Sequence, residues 1–267
     1  MSLISTARGD IAILRPDIAE AAQGGLPTIL VHGSGGRADI WSPVLSLFTE
    51  LDPIAIDLPG HGLSPGPLCR SVEDAADVVD AVRRALGLSR VAVVGHSLGG
   101  AIAQSYALEQ SEHCAGIVIA NSGCVFFVDR EGLPRILDNW PVMMEHFARG
   151  QVSPRASQSM MEAARQLVMK RDPAVLTHDL ELCAGFDSRD WVSKIQPACL
   201  IVTACEDQLT PFEHSTDLLA RIPHAQFTAI GPAGHSIMLE HPIRFAGAID
   251  SFFRELRESC TVNEEPA

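Results

Sequence analysis

Five short, almost continuously apolar runs recur along the chain, separated by longer segments of helical period. This alternation restricts the fold more than any other feature. The runs occupy residues 28–31, 53–56, 91–94, 116–119 and 200–203. They are rich in valine and isoleucine and do not alternate with polar residues, the pattern of strands buried on both faces of a parallel sheet. Between two of them, residues 71–86 place Val72, Ala75, Ala76, Val79, Val82 and Leu86 at three- and four-residue steps. Ser71 with Asp74 resembles a capping box, and Gly87 supplies a C-terminal stop. Strand, helix and strand in this order imply right-handed crossovers and an α/β architecture: a mostly parallel central sheet flanked by helices. Residues 4–14, broken by Arg8-Gly9-Asp10, predict a hairpin at the sheet edge.

The rhythm stops after Ile119 and resumes at Ala198. In between, residues 133–149, 154–170 and 173–184 read as helices, with Pro134, Pro154 and Pro173 near their starts. A helical block between two strands of one sheet predicts an insertion. The expected division is a core of residues 1–123 and 191–267, and a helical lid of residues 124–190 over the carboxyl edge of the sheet. A length of 267 residues suits one large domain with such an insertion.

Charge narrows the range of partners. The formal net charge of −13 opposes binding to nucleic-acid backbones and to anionic membrane surfaces, and no apolar run approaches the ~18 residues needed to cross a bilayer. The seven cysteines form no Cys-x-x-Cys pair, which argues against a disulfide framework or a zinc site and for a reducing cytoplasm.

The strongest chemical signal is Gly95-His96-Ser97-Leu98-Gly99-Gly100. It is a Gly-x-Ser-x-Gly motif directly after a strand run and directly before the helical run 101–109. At a sharp strand-to-helix turn the serine is strained and exposed, and the two glycines let strand and helix approach closely. Three further motifs follow strand runs: His32-Gly33-Ser34-Gly35-Gly36, then Asp57-Leu58-Pro59-Gly60-His61-Gly62-Leu63-Ser64, then Gly234-His235-Ser236.

With these four motifs in this order, the chain resembles the α/β-hydrolase-fold superfamily over nearly its whole length, and among its members the serine carboxylesterases and lactonases with a helical lid. The resemblance implies a catalytic serine, acid and histidine in that order, which selects Ser97, Asp207 and His235. Glu206 is the competing carboxylate; Ala204 stands where the family usually has glycine. His32, His61 and His96 are expected to shape their own loops and His241 to be structural. The oxyanion would be held by the backbone N–H of Leu98 and by one from the loop 32–36, Ser34 first and Gly35 second. No metal or organic cofactor is implied.

The expected reaction is hydrolysis of a carboxylic ester of a small or medium acyl or aryl group through an acyl-enzyme. Alternatives are a lactone or carbon–carbon bond hydrolase using the same three residues, or a non-catalytic small-molecule receptor of the same fold. Gly33, Gly35, Trp140, Met144 and Met238 are the expected pocket residues. Five of the seven methionines fall in the insertion, either to pack its helices or to line an adaptable apolar pocket. The insertion also holds eight of the 20 basic residues. That suits an acidic carrier protein as an additional partner or, alternatively, ordinary solvated helix faces. A monomer or a homodimer is expected.

Overall fold

The computed structural model describes residues 1–16 and 24–262. Its eight strands are β1 (Ser2–Thr6), β2 (Gly9–Leu14), β3 (Leu26–Val31), β4 (Leu51–Ile56), β5 (Val91–His96), β6 (Cys114–Ala120), β7 (Cys199–Ala204) and β8 (Gln226–Ile230). They form one sheet in the order β1-β2-β4-β3-β5-β6-β7-β8. β1 and β2 pair antiparallel, as do β2 and β4, and every other neighbour is parallel. The hairpin break is shorter than expected: Thr6 already pairs with Gly9, leaving only Ala7 and Arg8 in the turn. Thr6 Oγ1 fastens that turn by donating to Gly9 O at 2.7 Å.

The apolar runs are continuous because both sides of each strand are covered. Val91 and Val93 of β5 join one core with Ile117, Ile119 and Ile201, whereas Ala92 and Val94 join the opposite core with Val118, Leu200 and Val202. The helices in chain order are α1 (Ser42–Leu45), α2 (Val72–Ala85), α3 (Leu98–Glu109), α4 (Leu133–Asp138), α5 (Trp140–Gly150), α6 (Gln158–Met169), α7 (Pro173–Gly185), α8 (Phe212–Arg221), α9 (Ile237–Glu240) and α10 (Pro242–Val262). Residues of α2 and α3 fill the first core, and residues of α1 and α10 the second. Ser71 caps α2 by accepting from Asp74 N–H at 3.1 Å, while the Asp74 carboxylate turns to Arg70 N–H at 2.9 Å. The cap is therefore one-sided, not a reciprocal box.

Four helices, α4 to α7, lie between β6 and β7. The single helix expected over 133–149 is split at Asn139, whose carbonyl accepts from Val142 and Met143 as α5 begins. Pro141 accounts for the split, since proline fits the first turn of a new helix but not the interior of a continuous one. α6 begins four residues after Pro154, where Ser157 Oγ accepts from Met160 N–H. Asp172 caps α7 through Ala174 and Val175 N–H. Leu133, Met144, Ala148, Val168 and Leu176 form a small apolar core of these helices. Among the described residues no helix is long and apolar enough to cross a membrane.

Candidate active site

Ser97 occupies the junction between β5 and α3. Its φ of 56° and ψ of −119° lie outside the ordinary regions for a residue with a side chain. The surroundings hold it there: Ser97 N–H donates to Ala120 O at 2.9 Å, and Ser122 Oγ donates to Ser97 O at 2.8 Å. A Cβ at Gly95 would collide with the Gly99 backbone, and one at Gly99 with the Val31 carbonyl. The two glycines of the motif thus serve the close packing of β5, α3 and β3. As the first residue of α3, Leu98 has an N–H with no acceptor inside the helix.

The loops after β7 and β8 bring Asp207 to His235. His235 Nδ1 donates to Asp207 Oδ2 at 2.8 Å, with both side chains buried. The other carboxylate oxygen, Oδ1, accepts from Leu209 N–H at 2.8 Å and Thr210 N–H at 3.0 Å, and Thr210 Oγ1 lies 2.7 Å from Oδ2. Burial works against the charge on Asp207, yet His235 and the Thr210 donors outweigh it and hold the carboxyl below its ordinary value. The competitor, Glu206, faces elsewhere and engages Arg155 and Ser153.

Two buried side chains position this pair. Asn121, after β6, has the left-handed φ of 45°. Its Nδ2 donates to His235 O at 2.7 Å and Gly234 O at 3.2 Å, and its Oδ1 accepts from Ala204 N–H at 2.8 Å. His96 Nε2 donates to the same His235 carbonyl at 2.8 Å. Burial, with His235 beside it, lowers the His96 pKa to about 3, so this ring stays neutral.

Ser97 and His235 line one cavity of about 570 Å³, together with Gly33, Ser34 and Gly35. Among the described residues no hydrogen bond joins Ser97 Oγ to the imidazole. With Nδ1 engaged by Asp207, Nε2 is the ring nitrogen left for it, and such contacts commonly tighten only when substrate is bound.

The loop 32–36 is shaped as its histidine motif suggests. His32 Nδ1 donates to Gly33 O at 2.8 Å, and its Nε2 accepts from Leu58 N–H at 3.2 Å. Burial, reinforced by the neighbouring His61, lowers the His32 pKa to about 3. Gly36 N–H donates to Gly33 O, and Gly35 N–H to the carboxylate of Asp179 at 2.7 Å. Of the two loop donors considered, Gly35 is therefore occupied. His241 Nε2 donates to Pro232 O at 2.6 Å.

Three expected pocket residues lie elsewhere. Met238, on α9, is fully buried in the core beneath the sheet. Met144 is buried in the small core of α4 to α7, and Trp140 packs against that core. In each case the apolar side chain packs in or against an apolar core instead of facing the cavity. Met143 and Phe147 of α5 line the cavity instead, with Phe126, Phe127 and the cations Lys170 and Arg171. Sequence reading also missed Asn121, Thr210 and Asp179, which carry no motif. Asp179 stands in a mixed segment beside His178 and Glu181, so its position gave no local signal.

Comparison with known proteins places the chain in a family of this fold. Residues 28–248 match the alpha/beta hydrolase family. The chain is 26% identical to a putative carbamate hydrolase, RutD, of Caulobacter segnis, over 84% of this chain and 90% of the relative. It is also 26% identical to a pimeloyl-[acyl-carrier protein] methyl ester esterase of a Shewanella species, over 91% and 97%. Among solved structures, a thermophilic esterase is 28% identical with a TM-score of 0.82, over 95% of this chain and 97% of that one.

Proposed function

The chain belongs to the alpha/beta hydrolase family and is a hydrolase of that fold, and on that premise we propose that it is a serine hydrolase of carboxylic esters. Ser97 Oγ attacks the ester carbonyl while His235 Nε2 takes its proton. Asp207 holds the ring in the tautomer that leaves Nε2 free and stabilises the imidazolium that forms. The oxyanion is bound by the N–H groups of Leu98 and Ser34, each worth about 3–4 kcal/mol in a transition state. His235 returns the proton to the leaving alcohol, and water then releases the acyl group by the same steps in reverse. The observation that carries this reading is the buried hydrogen bond from His235 to Asp207, with His235 and Ser97 lining one cavity.

The ester assignment draws support from the esterase likeness at 28% identity. Helices α4 to α7 form the lid of this reading, since Met143, Phe147, Leu167 and Leu180 close the cavity with apolar surface suited to a small or medium acyl or aryl group. Arg149, Arg155, Arg165 and Arg189 of the insertion are already paired with carboxylates of the chain. That pairing makes a small ester a better substrate than one presented by an acidic carrier.

The test is covalent labelling by a fluorophosphonate alongside hydrolysis of short aryl esters. Labelling and hydrolysis that both disappear in Ser97→Ala support the reading. A protein that is neither labelled nor hydrolytic overturns it in favour of a receptor.

A further inference from the structure

One peptide unit of the loop 32–36 is held at both ends by charged side chains from the helical insertion. Arg171 Nη1 donates to Ser34 O at 2.9 Å, and Asp179 Oδ2 accepts from Gly35 N–H at 2.7 Å. These atoms are the C=O and N–H of the same planar group. The rest of α7 fits the same place. A Cβ on Gly35 would come within 3.0 Å of Leu176 Cβ, and Cys183 Sγ lies 3.4 Å from Ser34 Oγ. Leu176, Asp179 and Cys183 fall at three- and four-residue steps, so a single face of α7 backs the loop.

Both charges are committed to this arrangement. Asp179 is 2% exposed, and its Oδ2 also lies 2.9 Å from His61 Nε2. Arg171 packs over the Phe147 ring at 4.9 Å, and among the described residues no carboxylate forms an ion pair with it. Its guanidinium is directed at a neutral carbonyl.

We propose that Asp179 and Arg171 are positioning residues that fix the rotation of the peptide between Ser34 and Gly35, so that the helical insertion sets the oxyanion-binding geometry of the loop. This rests on the reading of Ser97 as nucleophile. A planar peptide gripped at one end can still turn about the line joining its Cα atoms; gripped at both ends it cannot. Gly35, at φ +60° and without a Cβ, offers the least resistance to such a turn. Rotation would swing a carbonyl oxygen toward the place where negative charge develops and would shift Ser34 with it. Helix α7 is on this account a functional part of the active site.

The experiment uses the full chain, a short-chain aryl ester and a fluorophosphonate. In Asp179→Ala, kcat should fall by about 10–100-fold, as a misplaced catalytic group does, with KM changed by less than about threefold. The labelling rate should fall in parallel. Asp179→Asn, which keeps an acceptor for Gly35 N–H, should recover most of the loss. Arg171→Met should lower kcat, Arg171→Lys should restore part of it, and the double variant Arg171→Met/Asp179→Ala should be no worse than Asp179→Ala alone. Should Asp179→Ala not fold, Asp179→Asn and Arg171→Met carry the same test. The proposal is overturned if kcat is unchanged, if the loss falls on KM alone, or if the two single losses multiply in the double variant. Undiminished labelling of Ser97→Ala would remove the nucleophile itself, and the proposal with it, a result distinct from any effect at position 179.

Discussion

The two walls of the cavity are built on different principles. The wall at the sheet edge is made of loops fastened by backbone hydrogen bonds and buried amides: Ser97 to Ala120, Asn121 to Ala204 and His235, Asp207 to Leu209 and Thr210. The wall made by α4 to α7 is held by a small apolar core and by surface ion pairs such as Arg165 with Glu145. Exposed pairs of that kind contribute about 1 kcal/mol or less each. The first wall is thus rigid, and the second is lightly held and free to differ in shape. The second reaches into the first at Asp179 and Arg171, and also where Gln151 O accepts from Ser236 N–H and Arg155 pairs with Glu206.

That contrast can be broken most directly at the rigid wall. Asp207→Asn should lower kcat by about 10³–10⁴-fold by leaving His235 in the wrong tautomer, while Glu206→Gln should stay within about threefold; steady-state kinetics on one aryl ester decides between them. Asn121→Ala removes the buried bonds to Ala204 N–H and Gly234 O and leaves His235 O to His96 alone. It should lower the unfolding free energy by about 3 kcal/mol and kcat along with it, read by urea denaturation and kinetics. A tolerated Asn121→Ala would mean that the sheet-edge wall is not the rigid one.

On the other wall the effects should be smaller and separable. Met144→Ala should cost about 2–3 kcal/mol of stability by emptying the insertion's core, whereas Phe147→Ala should raise KM several-fold with a smaller change in kcat.

The smallest expected effect concerns His61. Its Nδ1 faces Pro59 O at 3.1 Å and its Nε2 faces Asp179. The His32 ring lies 4.9 Å away, and Asp57 adds a further negative charge. Burial opposes protonation, but Asp179 outweighs it and raises the His61 pKa. A raised histidine pKa contributes stability that is complete below its ordinary value of about 6.5 and is lost as pH rises through the native value. Melting temperatures of wild type and His61→Gln should therefore converge toward alkaline pH.

The same division explains what could be read from the sequence. The strands were legible because burial on both faces leaves only apolar residues, as at Val91 to Val94. The turn at Ser97 was legible because β5, α3 and β3 approach too closely for any residue but glycine at 95 and 99. Asp207 and His235 followed from their loops and their order. The insertion gave up only its helices. Whether a methionine faces the cavity or a core depends on how four helices pack together, and no local signal separates Met143 from Met144. Asp179 and Arg171 act on a loop more than 130 residues away, and nothing in their neighbours' identities announces it.

Asn121 spans the ends of three consecutive connections with one carboxamide. The acid-bearing and base-bearing loops are in consequence a single mechanical unit, although 28 residues separate their working side chains. Recombination between relatives that exchanges either loop alone would strand amide and carbonyl groups away from water. The two must be transplanted together with the asparagine and with the segment that follows α5, whose Gln151 carbonyl accepts from Ser236 N–H at 2.6 Å.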